Sequence, residues 1–301
     1  MLGRDNKVND IKDLQETYLL VGFPESGKST FLAALISLLD SYADRMKLQK
    51  KEFKSLEGFS EKLHKQAQNW ASFEPVERTY KHVEEHVVLE LSDCDGKDYI
   101  IEIPDVSGEL YDDMIGRRFA DANMQNKICI ADTILFFINL ANSRDDSRLI
   151  TDFPKTLQCA MANPDVDTDL HNYEEMTFQN KVVELLQIIH YVKQQGFRVK
   201  IILSAWDVLD DDALTNSKIP MEVVKSEFPL VYQFVNNNRD WLSSEIWGIS
   251  AQGCDLENEE EVGRLSQLEE QIDRIIVVNQ SGDVSCDLSE LFIGKEDSNE
   301  E

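Results

Sequence analysis

The stretch Gly22-Phe-Pro-Glu-Ser-Gly27-Lys28-Ser29-Thr30 constrains this chain more than any other, because it lies between the apolar run Tyr18–Val21 and the helical pattern Phe31–Leu39. The spelling G-x-x-x-x-G-K-[ST] carries meaning only after a short buried strand and at the start of a helix, and both flanks are present. The glycines let the backbone curl so that successive N–H groups converge on phosphate oxygens, and the helix opening near Lys28 adds its positive end. Lys28 is then placed to bridge the outer phosphates, Ser29 to offer a hydroxyl to Mg2+, and Thr30 to reach an inner phosphate. Gly22, Pro24, Glu25, Ser26 and Gly27 complete the loop and are candidate nucleotide contacts with Lys28, Ser29 and Thr30.

A chain of 301 residues has ample length for a buried core. One domain is expected over residues 1–293, with insertions at about 43–78 and 143–177 and an acidic, disordered tail over 294–301. The net charge of −27 repels nucleic acid and anionic membrane alike, so neither is an expected partner. Apolar runs fall well short of the roughly 18 residues that suggest a membrane span, and residues 1–18 are too polar for a signal peptide. A cytoplasmic protein is expected. Cys94, Cys129, Cys159, Cys254 and Cys286 form no C-x-x-C pair and no cluster with histidine, which indicates reduced thiols rather than zinc or a disulfide framework. Acid concentrates in 207–212, 257–261 and 296–301, read as solvated loops and tail.

Along the chain, 16–21 reads as the first strand and the helix from Lys28 carries Phe31, Leu32, Leu35, Leu38, Leu39 and Tyr42 on one broad apolar face. The basic-leaning stretch 45–65 reads as a helix through Phe53, Leu56, Phe59 and Leu63; a mixed-charge surface and a dock for an acidic partner are both open. Strands at 86–91 and 99–103 are joined by a turn containing Asp95-Gly96, a hairpin signal. The second of them runs into Asp105-Val-Ser-Gly108-Glu109, where an acidic residue at a strand end opposite a phosphate loop is suited to hold a Mg2+ ion and its water. Strands follow at 132–138, 198–203 and 245–249, and helices are expected at 178–195 (stopped by Gly196), 222–236 and 265–275. Residues 275–278 are either the end of that last helix or an edge strand.

Strand–helix alternation implies a mostly parallel sheet with helices on both faces and ligands at the carboxyl ends of the strands. Gly22–Thr30, Asp105–Gly108, Ser204–Asp207 and Ser250–Gln252 all fall there.

In this order the four motifs resemble a GTPase of the translation-factor and Ras-related class over most of residues 16–280. The resemblance implies a three-layer α/β P-loop G domain with one antiparallel strand, binding GTP or GDP with Mg2+. Asp207 matches the aspartate that reads guanine in the [NT]-K-x-D box, whereas Ser204 and Ala205 depart from it; for Trp206, stacking near the base and structural burial are both open. Ser250-Ala251-Gln252 resembles the S-A-K box, whose backbone N–H supports the guanine carbonyl. Thr79 is the candidate for the Mg2+-sensing threonine, beside Ser29 and Asp105 as metal ligands. Lys28, Gly108 and Glu109 are the candidate catalytic set, Glu109 standing where a glutamine often orients the attacking water; slow or partner-dependent hydrolysis follows from its negative charge. Arg78, Arg117 and Arg118 are either stabilising charges in cis or surface ion pairs. Asp105-Val-Ser-Gly-Glu, the insertions, Arg274-Ile-Ile-Val and Asp287-Leu-Ser further resemble bacterial double-GTPase proteins of GTPase-associated conflict systems, which implies a partner protein, a second GTPase or a GTPase-associated protein.

Three functions are therefore open: a nucleotide-dependent molecular switch, a nucleotide-binding scaffold with little turnover, and a P-loop ATPase or kinase. The hairpin before Asp105 and the Ser250–Gln252 box argue against the third, as does the lack of an arginine-rich lid pattern.

Overall fold

The computed structural model describes residues 15–55, 59–76, 86–104, 108–143, 176–209 and 218–293. Unbroken apolar runs make the centre of the sheet, because strands covered on both faces have no polar side to show. β1 (Gln15–Val21), β4 (Asp98–Pro104), β5 (Thr133–Asn139), β6 (Phe197–Ser204) and β7 (Leu242–Ser250) run parallel in the order β4-β1-β5-β6-β7. Side chains alternate between the two faces. On β1, Tyr18 and Leu20 enter one core with Leu135 and Phe137 of β5, while Leu19 and Val21 enter the other with Ile134, Phe136 and Ile138.

The first face is covered by α1 (Lys28–Ser41) and α2 (Phe59–Ala71), together with the C-terminal turn Leu288–Phe292. The second is covered by α3 (Gly108–Arg117), α4 (Ala122–Ile130), α6 (Phe178–Lys193), α7 (Pro220–Glu227) and α8 (Pro229–Asn237); a single turn, α5 (Leu140–Ser143), follows β5. The layers are helix, sheet, helix, as expected.

The margins depart from expectation. β3 (His86–Ser92) pairs antiparallel with β4 as the hairpin signal requires, with Gly96 at φ +83 in the turn. Residues 49–55, expected in a helix, form instead β2 (Gln49–Ser55), an edge strand antiparallel to β3, and only from Phe59 does the chain turn helical. The open edge of β3 supplied hydrogen-bond partners that local spacing could not reveal, and Lys50 and Lys51 on the new edge pair with Asp40 and Asp98. At the far edge β8 (Ile276–Val278) runs antiparallel to β7, and β9 (Val284–Ser285) antiparallel to β8. Two strands, β3 and β8, therefore oppose the rest, where one was expected.

The helix expected over 222–236 is split at Pro229, whose ring cannot continue a helix but is suited to start one. The stop of α6 falls on Gln194, left-handed at φ 53, rather than on Gly196. The expected helix 265–275 is instead α9 (Glu259–Leu265) followed by a tight turn, Gln271–Arg274. Asn258 caps α9 by accepting from Glu260 and Glu261 N–H, and Glu259, Glu260 and Glu261 suit the positive end of the helix; this acidic run is structured rather than loop. Residues 77–85, 144–175 and 294–301 lie outside the described residues, and with them the polar insertion and the tail. Among the described residues no helix is long and apolar enough to cross a membrane.

Candidate functional site

Each parallel strand delivers its last residue to one edge of the sheet, and the turn from β1 to α1 sits at the middle of that edge. Two glycines shape the turn for different reasons. Gly27 is left-handed at φ +87, where a side chain is strained, and a Cβ there would lie 2.9 Å from Ser204 Oγ. Gly22 lies against the next strand, where a Cβ would meet Ser26 Oγ at 2.6 Å and Phe137 O at 2.9 Å.

α1 begins without a cap. Its first internal hydrogen bond is Phe31 N–H to Gly27 O at 2.9 Å, and among the described residues the N–H groups of Lys28, Ser29 and Thr30 find no acceptor. No side chain caps the helix and no acidic residue occupies its first turn. By contrast Asp121, Thr177 and Asn258 cap α4, α6 and α9 through their side chains. An uncapped helix end behind a left-handed turn presents convergent N–H groups and a positive dipole, a cradle that fits a phosphate.

Lys28 is half-buried, with its ammonium folded into the loop: Nζ donates to Gly22 O at 2.5 Å, Phe23 O at 3.0 Å and Ser26 Oγ at 2.8 Å. The Tyr111 ring lies 6.0 Å away. Burial pushes the Lys28 pKa down to about 7. The cation is thus held on loop carbonyls, from which a phosphate can draw it.

Neighbouring elements fix the loop. Asn139 at the end of β5 donates to Glu25 O at 2.8 Å, and Asn142 of α5 donates to Glu25 Oε2 at 3.2 Å. Tyr111 of α3 donates to Leu20 O at 3.1 Å. Ser204 donates to Ser26 O at 2.8 Å. Ser26 itself is turned inward, its hydroxyl on Lys28 and its N–H on Phe23 O, so its side chain is a support rather than a ligand contact. Pro24 and Glu25 form the exposed crest.

The base end is built differently. Ser204 and Ile249 are register partners on β6 and β7, which sets Ser204–Asp207 and Ser250–Gln252 side by side. The Ser204 hydroxyl is spent on the phosphate loop. Trp206 is 1% exposed and lies across Gly248, where a Cβ would come within 2.3 Å of its ring. Of the two readings, structural burial holds; no face of Trp206 is open to a base, and it leaves the set of candidate nucleotide contacts. Asp207 is partly exposed, and no described residue donates to its carboxylate. Ser250 accepts from Gly253 N–H at 2.9 Å and closes the second loop. Ala251 O accepts from Trp70 Nε1 at 2.7 Å, while Gln252 Nε2 is buried without a partner. Burial first, then the charges of Glu261 and Asp207, push the Cys254 thiol up.

Thr79, Arg78 and Asp105 lie outside the described residues. Gly108 and Glu109 open α3, whose Tyr111 reaches β1 beside the loop. Arg117 is exposed and Arg118 pairs with Glu184 at 3.0 Å, so Arg118 is a surface ion pair. Sequence reasoning missed Asn139, Asn142, Tyr111 and Trp70; Asn139, a polar residue at a strand end on the ligand edge, carried a local signal. Among the described residues no cluster of three or more His, Cys, Asp or Glu side chains could hold a metal by itself. A Mg2+ ion held through phosphate oxygens and Ser29 fits the cradle, since the Ser29 hydroxyl stands in the uncapped first turn.

A phosphate loop of this geometry, at the carboxyl edge of a parallel sheet, defines a P-loop nucleotide-binding protein. The family described as DO-GTPase1, Double-GTPase 1, matches residues 19–292, and the chain belongs to it. No curated protein matches the chain. Among solved structures it is similar to the ADP-ribosylation-factor-like small COPII coat GTPase SAR1 from Encephalitozoon cuniculi in complex with GDP, at 9% identity and a TM-score of 0.35 over 78% of this chain and 69% of that one. It is also similar to the signal recognition particle receptor SRb in its GTP complex with SRX from Chaetomium thermophilum, at 12% identity and a TM-score of 0.38 over 80% and 92% of the two chains. These likenesses are too loose to transfer a residue's role.

Proposed function

We propose that the chain is a guanine-nucleotide-dependent molecular switch that binds GTP and GDP with Mg2+, hydrolyses GTP slowly or on stimulation by a partner, and is read by that partner. The observation that carries the nucleotide reading is the uncapped start of α1 behind left-handed Gly27, with Lys28 Nζ held on the loop's own carbonyls. Family membership supports guanine as the base, and Asp207 is the carboxylate left open to read it.

In this reading the N–H groups of Lys28, Ser29 and Thr30 hold the phosphates, and Lys28 leaves Gly22 O and Phe23 O for a phosphate oxygen. Ser29, Asp105 and Thr79 would hold Mg2+, which when bound neutralises charge developing on the phosphates. Glu109 opens α3 and accepts a hydrogen bond from the attacking water, but its own charge opposes the anion that forms, so turnover without help is slow. The switch in this reading is the presence or loss of the γ-phosphate, which the partner reads.

Phosphate release from GTP and Mg2+ tests the reading, with the purified chain alone and with a GTPase from the same family. Slow release that rises with the partner is expected. Tight binding with no release in either case supports a scaffold, and a preference for ATP overturns the guanine reading.

A further inference from the structure

The second loop of the site is braced from behind by α2, a helix whose sequence pointed to a mixed-charge surface or a partner dock within an insertion. Trp70, fully buried near the end of α2, donates from Nε1 to Ala251 O at 2.7 Å. A trans peptide is planar, with C=O and N–H on opposite sides. With Ala251 C=O fixed toward α2, the N–H of Gln252 faces away from it, and among the described residues that N–H finds no acceptor.

Arg274 fixes the indole in turn. Its guanidinium lies 3.7 Å from the Trp70 ring centroid and 4.2 Å from that of Phe73, and Nη2 donates to Trp70 O at 2.6 Å. Arg274 is 2% exposed, no carboxylate among the described residues pairs with it, and its Nε and Nη1 have no hydrogen-bond partner. Burial pushes its pKa down to about 10, so it stays charged at neutral pH. A buried cation without an anion is costly, and two ring faces and a carbonyl are what offset that cost here. The backbone of the loop touches the same residue: a Cβ on left-handed Gly253 would lie 2.8 Å from Arg274 O. Arg274, Trp70 and the Ala251–Gln252 peptide form one chain of contacts.

We infer that Trp70, clamped by Arg274, is a positioning residue for base recognition: it orients the Ala251–Gln252 peptide so that its free N–H is presented to the 6-oxo group of a guanine nucleotide. The inference rests on the guanine reading above. It accounts for a base site that lacks lysine at both 205 and 252, since orientation is supplied from behind by α2 rather than by long side chains lying along the base.

The probes are GDP and 2-aminopurine riboside diphosphate, which keeps the ring and the 2-amino group but lacks the 6-oxo group and, with it, the N1–H; the change that Trp70→Phe makes to each probe's affinity is therefore read, not the difference between the probes. Trp70→Phe keeps an aromatic ring for Arg274 and removes the donor together with the pyrrole half of the indole; the loss of packing acts on both probes alike, the loss of the donor on GDP alone. GDP affinity should fall about five-fold further than affinity for the 2-aminopurine nucleotide, the loss of one neutral hydrogen bond. An equal fall for both probes, as a merely structural role would give, or no fall for either, overturns the inference. Should the variant not fold, 15N-tryptophan labelling of the wild-type chain gives the same test. Among the indole signals of the four tryptophans, that of Trp70 should shift with GDP and stay in place with the 2-aminopurine nucleotide. A shift common to both probes, or absent with both, overturns it. A wild-type chain that binds the two probes equally overturns the guanine reading itself.

Discussion

The phosphate end and the base end of this site are built by opposite means. At the phosphate end the binding groups are backbone N–H, left open because α1 has no cap, and Lys28 waits on carbonyls a few ångströms away. At the base end most polar groups are already engaged: Ser204 holds Ser26 O, Ser250 holds Gly253 N–H, and Ala251 O holds Trp70, while the Asp207 carboxylate and the Gln252 N–H have no partner among the described residues. The phosphate-binding groups therefore belong to one short turn, braced from outside by Asn139, Asn142 and Ser204, whereas the base-reading groups come from two loops set side by side by the sheet. The first should bind the more strongly, the second more weakly.

Lys28→Ala should produce the largest effect, because it removes the only side-chain cation that the described loop offers the phosphates. Affinity for GDP and ADP should fall together by about 100-fold, the scale of a charged hydrogen-bonding group, as read by calorimetry. The same lysine gives a pH signature. Its pKa of about 7 in the free chain means that it is mostly neutral at pH 8, and a bound polyanion restores the charge. Binding at pH 8 should thus take up about one proton, seen by titration in buffers of different ionisation enthalpy, and at pH 6 the uptake should vanish. In the nucleotide-free chain the sign is the reverse of an ion pair's: the unfolded lysine holds more protons between pH 7 and its ordinary value, so this group favours the fold as pH rises through that window.

Asp207→Asn should act only at the base end. It replaces an acceptor-only carboxylate with an amide, and the GDP-to-ADP affinity ratio should fall about ten-fold with ADP unchanged. The smallest effect, about five-fold, is expected of Ser204→Ala, and it should lower GDP and ADP affinity equally, because that hydroxyl holds the phosphate loop. A change in base preference from Ser204→Ala would break the division between the two ends.

How much of this was legible in sequence follows the same division. The turn Gly22–Thr30 and the central strands were readable because their signals are local: glycines at fixed spacing, an unbroken apolar run, a helix pattern behind it. β2 was not, since residues 49–55 pair with an open edge that sequence spacing cannot show. Trp206 was ambiguous in its own box, and its burial is decided by Gly248, more than forty residues away. Trp70 and Arg274 carried no local sign of a role at the base loop, because only the fold brings α2 and the turn Gln271–Arg274 together beside Ala251 and Gly253. Asn258 and Pro229, by contrast, are local stop and start signals that were present in the sequence and were outweighed by apolar spacing.

The central claim is that a prebuilt phosphate cradle supplies most of the affinity and Asp207 with the Gln252 N–H adds a preference for guanine. Calorimetric titration of the wild-type chain with GDP and with ADP, both with Mg2+ at one pH, tests it most directly. Measurable binding of both, with GDP the tighter, is the predicted result; equal affinity for the two nucleotides would contradict it.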